Sequence, residues 1–203
     1  MSIKKIVPYG DEVLRKKSKE VSKISKKIQT LVHDLLDTMY ANNGVGLAAP
    51  QVGENLRVFV IDVSTGKEPL NPLVFINPKI IQKSGACSSY EGCLSFPEAY
   101  TDVKRYAYVK VKALGLNGKP FIMEGKDGSL LARAIQHEFD HLDGILFIDH
   151  CRSEFEANRI LHEKGLQSVE EDKLLSEPEI EKALESIPTN PGETVVAETK
   201  EEQ

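Results

Sequence analysis

Apolar residues at Ile28, Leu31, Val32, Leu35, Leu36 and Met39 recur at steps of 3, 1, 3, 1 and 3, the spacing that lines one face of a helix. The pattern predicts an amphipathic helix that ends near Ala41-Asn42-Asn43-Gly44. A second helical stretch over 130–142 places Leu131, Ile135, Glu138 and Leu142 on one face. Asp127 or Ser129 can cap its start, and Gly144 suits a left-handed end. A third helix is expected at Ser153–Lys164, stopped by Gly165. Elsewhere the pattern turns strand-like. Arg57–Asp62 and Val74–Ile81 are rich in Val, Ile and Phe and flank a Ser-, Gly- and Pro-containing loop from Ser64 to Pro72. Val109, Val111 and Ala113 alternate with Lys110 and Lys112, and Leu116-Asn117-Gly118 offers a turn into Pro120–Glu124.

Short hairpin-forming strands around one internal helix give an α+β class of mostly antiparallel sheets, with that helix at the centre. From Leu166 onward Glu, Ser, Thr and Pro predominate, so the chain reads as one folded domain over 1–165 and an acidic, disordered tail over 166–203, with a helical turn or two at Glu179–Ser186. No internal repeat is present.

Composition changes this picture in three places. A chain of 203 residues with 40% hydrophobic content can bury one core. The net charge of −5 is uneven: residues 1–150 hold 20 Lys and Arg against 17 Asp and Glu, whereas 151–203 hold 6 against 14. The lysines at 16, 17, 19, 23, 26 and 27 lack interleaved aromatics, which argues against a nucleic-acid site. Three cysteines, Cys87, Cys93 and Cys151, fit no disulfide framework and point to a reducing compartment. No apolar run approaches a membrane span and no signal-peptide pattern opens the chain, so a cytoplasmic protein is expected.

The chemistry lies in His137-Glu138-Phe139-Asp140-His141. H-E-x-x-H on a helix puts two imidazoles one turn apart on one face, with a carboxylate beside them, so it can bind a divalent metal and supply a general base. A catalytic ion of this kind takes three protein ligands. The histidine of the longer metalloprotease pattern is missing: position 147 is Phe147, and His150 comes three residues too late. The better candidate is Cys93, in Glu91-Gly92-Cys93-Leu94-Ser95. Taken alone, that thiol would be a small buried apolar residue.

A third motif, Gly44-Val45-Gly46-Leu47-Ala48-Ala49-Pro50-Gln51, lies further upstream. G-x-G-x-A-A-x-Q, E-G-C-L-S and H-E-x-x-H, in this order, resemble the peptide deformylases. The resemblance runs from about Ile6, with Val7-Pro8-Tyr9-Gly10-Asp11 and Val13-Leu14-Arg15 like the family's opening, to about Asp149.

The resemblance implies hydrolysis of the N-formyl group from the initiator methionine of new polypeptides, with a metal held by Cys93, His137 and His141. It implies Fe(II) in the cell, while one sulfur and two imidazoles also suit Zn(II), Ni(II) or Co(II) and disfavour Mg or Ca. Glu138 would move the proton, and the Gln51 amide and the Leu94 backbone N–H would donate to the oxyanion. Gly44, Val45, Gly46, Glu91 and Gly92 would pair with an extended peptide through their backbone. Val45, Leu130 and Ala134, with the His137 ring, would wall the methionine pocket. Arg133 stands where the family usually has an apolar residue, and Ser89 makes the approach to the cysteine motif more polar.

His33 and His162 read as surface residues, His150 as a polar contact after the site helix, and Cys87 and Cys151 as thiols that bind no metal. N-formyl-methionyl nascent peptides are the expected partners, with no DNA and no membrane. Arg152, Arg159 and Lys164 could give a weak ribosome contact that the acidic tail opposes. Two other readings compete: a zincin-like peptidase, which the ordered Cys and Gln motifs disfavour, and a non-catalytic metal or peptide binder, which would have no need of a buried Glu138.

Overall fold

A computed structural model describes residues 2–64 and 70–175. Its elements are α1 (Lys26–Ala41), β1 (Gly46–Ala48), β2 (Val58–Ile61), β3 (Leu73–Ser84), β4 (Cys87–Cys93), β5 (Phe96–Arg105), β6 (Tyr108–Leu114), β7 (Pro120–Gly125), α2 (Leu130–Leu142) and α3 (Glu154–Glu163). The α+β expectation holds. Five strands form one antiparallel sheet in the order β1-β2-β3-β6-β7, and β4 and β5 form a separate hairpin.

The apolar stripe of α1 buries Ile28, Leu31, Val32, Leu35 and Met39 against Leu47, Val58, Val60 and Ile76 of the sheet. On the opposite side, Ala132, Ala134, Ile135 and Leu142 of α2 pack on Phe59, Phe75, Val109 and Val111. A third core joins Phe96, Ala99 and Val103 of the hairpin to Phe147, Ile148, Ile160 and Leu161. The site helix therefore lies between the large sheet and the hairpin, and its ends are fixed locally. The Ser129 hydroxyl accepts from the Ala132 N–H at 3.3 Å, and Gly144 takes a left-handed φ of +75°.

The hairpin β4–β5 was not expected from the sequence pattern, because its outward residues include Tyr90 and Tyr100 and its inward ones include Glu91, Thr101 and Arg105. Polarity does not sort by face there. Its register is regular from Cys87↔Arg105 to Gly92↔Tyr100, then jumps to Cys93↔Phe96. Such an irregularity re-aims the side chain beside it, and here that side chain is Cys93.

The expectation of an unpacked tail from Leu166 is not met over 166–175. Val169 is buried in the hairpin core, with Leu166 and Leu174 against it. The Val169 N–H donates to Asn158 Oδ1 at 2.7 Å, and the Leu175 N–H donates to the Asp149 carbonyl at 2.8 Å. The few apolar residues of an otherwise acidic segment suffice to hold it down. The helical turns expected at Glu179–Ser186 lie outside the described residues.

Ending the chain after Gly165 removes the Val169 contacts, whereas ending it after Leu175 keeps them. Burying one such side chain is worth about 2 kcal/mol, so the shorter truncation should melt about 4–8 °C below the longer one. Equal melting temperatures by calorimetry would show that 166–175 adds nothing to the core.

Candidate metal and active site

The spacing of His137 and His141 on α2 brings both imidazoles to one point, with ring centroids 5.1 Å apart. The hairpin delivers Cys93 to the same place. The ligand atoms of Cys93, His137 and His141 lie within 4.8 Å of one another, and Cys93 Sγ is 3.3 Å from His141 Nε2. A tetrahedral ion with bonds of about 2.3 Å to sulfur and about 2.0 Å to nitrogen needs such atoms roughly 3.5 Å apart, so the group fits a first-row metal. Cys87 and Cys151 stand apart from this cluster, and His33 and His162 are exposed on their helices, as expected.

Glu138 is buried against the cluster, and its Oε2 has no hydrogen-bond partner among the described residues. Burial, which disfavours the carboxylate, pushes its pKa up to about 7, although the His137 and Arg105 charges work the other way. The position of this side chain depends on Gly46. A Cβ there would stand 2.9 Å from Glu138 Cδ and Cγ and closer still to Oε1, so only glycine lets the carboxyl lie flat against β1. The second glycine of G-x-G thus has a specific structural partner that the sequence alone could not name.

Behind the ligands lies a buried charge network. Glu91 Oε2 is 3.1 Å from His137 Nδ1, which leaves Nε2 to face the site. Arg105 donates from Nε and Nη2 to both Glu91 oxygens at 2.7 and 2.9 Å, and from Nη1 to Asp140 Oδ2 at 2.8 Å. His150 Nε2 meets the same Asp140 oxygen at 2.8 Å, the polar contact expected of it. Burial would raise Glu91, but the hydrogen bond from His137 and the Arg105 charge outweigh it and bring the carboxyl down to about 2. Asp140 is likewise held well below the usual carboxylate range, chiefly by Arg105 against its own burial. Burial also opposes charge on His137, yet the Cys93 sulfur and Glu91 raise its pKa to about 10, the pull on a proton that a bound cation would replace. On His141 burial, aided by the His137 charge, favours the neutral imidazole.

Gln51 sits in a 3-10 turn over Ala49–Val52. Its Oε1 accepts from the Ala48 N–H at 2.9 Å, which fixes the amide so that Nε2 points at Cys93 Sγ and Ser95 Oγ, each at 3.4 Å. Leu94 follows Cys93 in the hairpin turn. The N-terminal segment ties both loops together. The Val7 N–H donates to the Gln51 carbonyl and the Tyr9 N–H to the Ser95 carbonyl, both at 2.8 Å, and the Tyr9 ring stacks on Phe96 at 4.4 Å.

A cavity of about 530 Å³ opens onto these groups. Gly44, Val45, Gly46, Gln51, Glu91, Gly92, Cys93, Leu94, Leu130, Arg133, Ala134, His137 and Glu138 all line it; His141, the deepest ligand, does not. Leu130 and Val45 are partly exposed and Ala134 is buried, which gives an apolar wall. Arg133 is half-buried, and its Nε donates to the Gly128 carbonyl at 3.1 Å, tying the guanidinium to the turn before α2. Asn42, Asn43, Pro97, Glu98, Tyr90 and Tyr100 also line the cavity without having been singled out. The tyrosines carried a weak signal as aromatics flanking the cysteine motif. Arg105 and Asp140 carried none, because a lone arginine on a strand and an aspartate on a helix read as surface residues.

The family model for polypeptide deformylase matches residues 3–156. Peptide deformylase 1 of Clostridium acetobutylicum is 51% identical over 158 residues, covering 78% of this chain and all of that one. A crystal structure of a peptide deformylase from Synechococcus elongatus in complex with actinonin superposes with a TM-score of 0.74 at 42% identity, covering 80% of this chain and 86% of the other. A Met-Ala-Ser-bound class I type b peptide deformylase from Acinetobacter baumannii gives a TM-score of 0.69 at 33% identity, covering 74% and 99%.

The depressed Glu91 pKa has a signed consequence. A carboxyl that is lower in the folded than in the unfolded state stabilises the fold fully above its unfolded value of about 4.5, and that stability is lost as the pH falls towards about 2. The metal-stripped protein should therefore lose unfolding free energy across this window more steeply than its Glu91→Gln variant. Parallel slopes in urea titrations at several pH values would dissociate Glu91 from acid stability.

Proposed function

The chain belongs to the polypeptide deformylase family, and from that premise we propose how its residues carry out the family's reaction. It is a metal-dependent hydrolase that removes the N-formyl group of nascent polypeptides. The observation that carries the residue assignment is the convergence of Cys93, His137 and His141 beside an unpartnered, buried Glu138 at the floor of one cavity.

Cys93, His137 and His141 would hold the ion, and Fe(II) is proposed for the cell, with Zn(II), Ni(II) and Co(II) compatible with the same donors. When bound, such an ion acts as a Lewis acid and makes water acidic enough to attack at neutral pH. Glu138 would accept a proton from the attacking water and pass it to the departing amine, a task suited to a carboxyl that burial holds near neutrality. Gln51 Nε2, fixed by Ala48, and the Leu94 N–H donate to the oxygen that becomes negative as the formyl carbon turns tetrahedral. One such donor is worth about 3 kcal/mol in the barrier. Gly44, Val45 and Gly46 on one side and Glu91 and Gly92 on the other supply backbone groups to an extended peptide, an affinity that does not read its sequence. Val45, Leu130 and Ala134, with the His137 ring, receive the methionine side chain.

The ligand chemistry supports a reducing, cytoplasmic setting, since a metal-binding thiolate must stay unoxidised; no helix of the described residues is long and apolar enough to cross a membrane. Arg152, Arg159 and Lys164 are proposed to give a weak, strongly salt-dependent contact with the ribosome.

Formate release from formyl-Met-Ala-Ser tests the reading directly. Cys93→Ala should lose most of its metal and nearly all turnover, because two imidazoles alone hold an ion weakly. Glu138→Gln is nearly isosteric and should keep its metal while turnover falls by about two to four orders of magnitude. Full metal occupancy in the first variant, or parental turnover in the second, would reassign those roles.

Arg133 generates a specificity prediction. Arg133 lines the cavity and its Nε is tied to the Gly128 carbonyl, so an acidic residue just after methionine should be favoured over a basic one by a factor of about 1.5 to 5. The preference, measured as kcat/KM on formyl-Met-Asp and formyl-Met-Lys peptides, should vanish in Arg133→Ile and fade at high salt. A ratio unchanged by the substitution would show that Arg133 has no part in choosing the second residue.

A further inference from the structure

The outward face of the β4–β5 hairpin carries Tyr90 and Tyr100, 68% and 52% exposed, with rings stacked at 5.8 Å between centroids. Exposed aromatics are normally turned down against their own fold, yet this pair stands as a ridge. Gly92 makes room for it, since a Cβ there would sit 2.6 Å from Tyr100 Cδ1. The ridge is shared by two cavities. On one side is the active-site cavity; on the other is a second cavity of about 510 Å³ between the hairpin and α3, and Tyr90, Glu98 and Tyr100 border both.

The second cavity has a definite charge. Asp102 lines it from the hairpin, and Glu156 and Glu163 line it from α3, against Arg159 and Lys164. Glu98 lines it too, so four carboxylates face two cations; Arg159 lies 3.7 Å from Glu163 and Lys164 lies 3.8 Å from Glu98, both in exposed pairs. Asp102 and Glu156 have no cationic side-chain partner among the described residues, so the groove presents uncompensated negative charge.

We propose that this groove is a distal subsite for the nascent chain, which leaves the active site over the Tyr90–Tyr100 ridge and lays its fourth and fifth residues beside Asp102 and Glu156, favouring basic side chains there. The geometry of an extended chain agrees. Residues rise about 3.3 Å each along a strand, and the ridge spans Tyr90 to Gly92, so a peptide anchored by its methionine at Cys93 passes the tyrosines with its second and third residues. Aromatic faces suit such a passage because they contact backbone and side chains of any sequence. The proposal rests on the deformylase reading and extends it beyond the methionine pocket.

The test compares kcat/KM of the metal-loaded full chain on formyl-Met-Ala-Ser, formyl-Met-Ala-Ser-Lys-Lys and formyl-Met-Ala-Ser-Asp-Asp at low and high salt. The Lys-Lys peptide should exceed the Asp-Asp peptide by about 2- to 10-fold at low salt, the size expected of two exposed charge contacts, and the ratio should shrink with salt. Combining Asp102→Asn with Glu156→Gln should bring the ratio towards one, and Tyr100→Ala should remove the advantage of the Lys-Lys peptide over the tripeptide. Equal rates on all three peptides, or a Lys/Asp ratio unmoved by the double substitution, would overturn the groove while leaving the deformylase reading intact. Absence of formate from every peptide would instead bring down that reading and the groove with it.

Discussion

The guanidinium of Arg105 joins the two halves of the candidate metal site. It reaches from β5 to both oxygens of Glu91 on β4 and to Asp140 on α2, and so locks the hairpin that carries Cys93 to the helix that carries His137 and His141. A buried ion pair adds little net stability over apolar packing of the same volume, although removing one partner costs about 3–5 kcal/mol. Its value here is geometric. With Glu91 held by Arg105, the carboxylate has one fixed lone pair for His137 Nδ1, and that bond sets both the tautomer and the ring angle of a proposed ligand. The low Glu91 pKa and the raised Arg105 pKa are the electrostatic record of that lock.

Around the lock, the site divides its labour between helical backbone and turns. The two imidazoles and the Glu138 carboxyl come from one capped helix whose apolar face is packed on the sheet, so their mutual geometry is as stiff as the helix. Gln51 and Leu94 come from turns, which are less stiff by themselves. The N-terminal segment corrects this by bonding to both turns at once through Val7 and Tyr9. That gives the opening Val-Pro-Tyr-Gly-Asp a physical reason to accompany the three motifs: it is the strap that keeps donor and ligand loops at a fixed distance.

Much of this was legible in the sequence, for reasons that differ by element. The helix over 130–142 was readable because its apolar period, cap and chemistry agree; α1 showed its period in the same way, β6 its alternation, and β2 and β3 their Val, Ile and Phe content. The hairpin β4–β5 was not, because its inward positions hold the Glu91–Arg105 pair and its outward positions hold tyrosines, which inverts the usual sorting. For the same reason the residues that orient the ligands escaped notice. Arg105 and Asp140 gain their meaning only from each other, across 35 residues of chain, and single-sequence periodicity contains no information about that distance. The packing of 166–175 is hidden for a simpler cause: average composition there is polar, and only Leu166, Val169 and Leu174 reach the hairpin core.

The close approach of Glu138 to β1 shows how far the chemistry constrains the fold. A carboxyl whose pKa is raised by burial needs a dry surrounding, yet in the proposed reaction the peptide comes to it along a strand edge whose N–H and C=O groups want partners. A side chain at position 46 would push Glu138 away from β1. Glycine leaves the carboxyl in place, and the cost in backbone entropy is offset by pairing β1 to β2 through Gly46↔Ile61, Leu47↔Val60 and Ala48↔Phe59. The shortest strand of the sheet is therefore one of its most constrained, because it carries the proposed substrate edge, lies against the proposed general base and gives Leu47 and Ala48 to the cores.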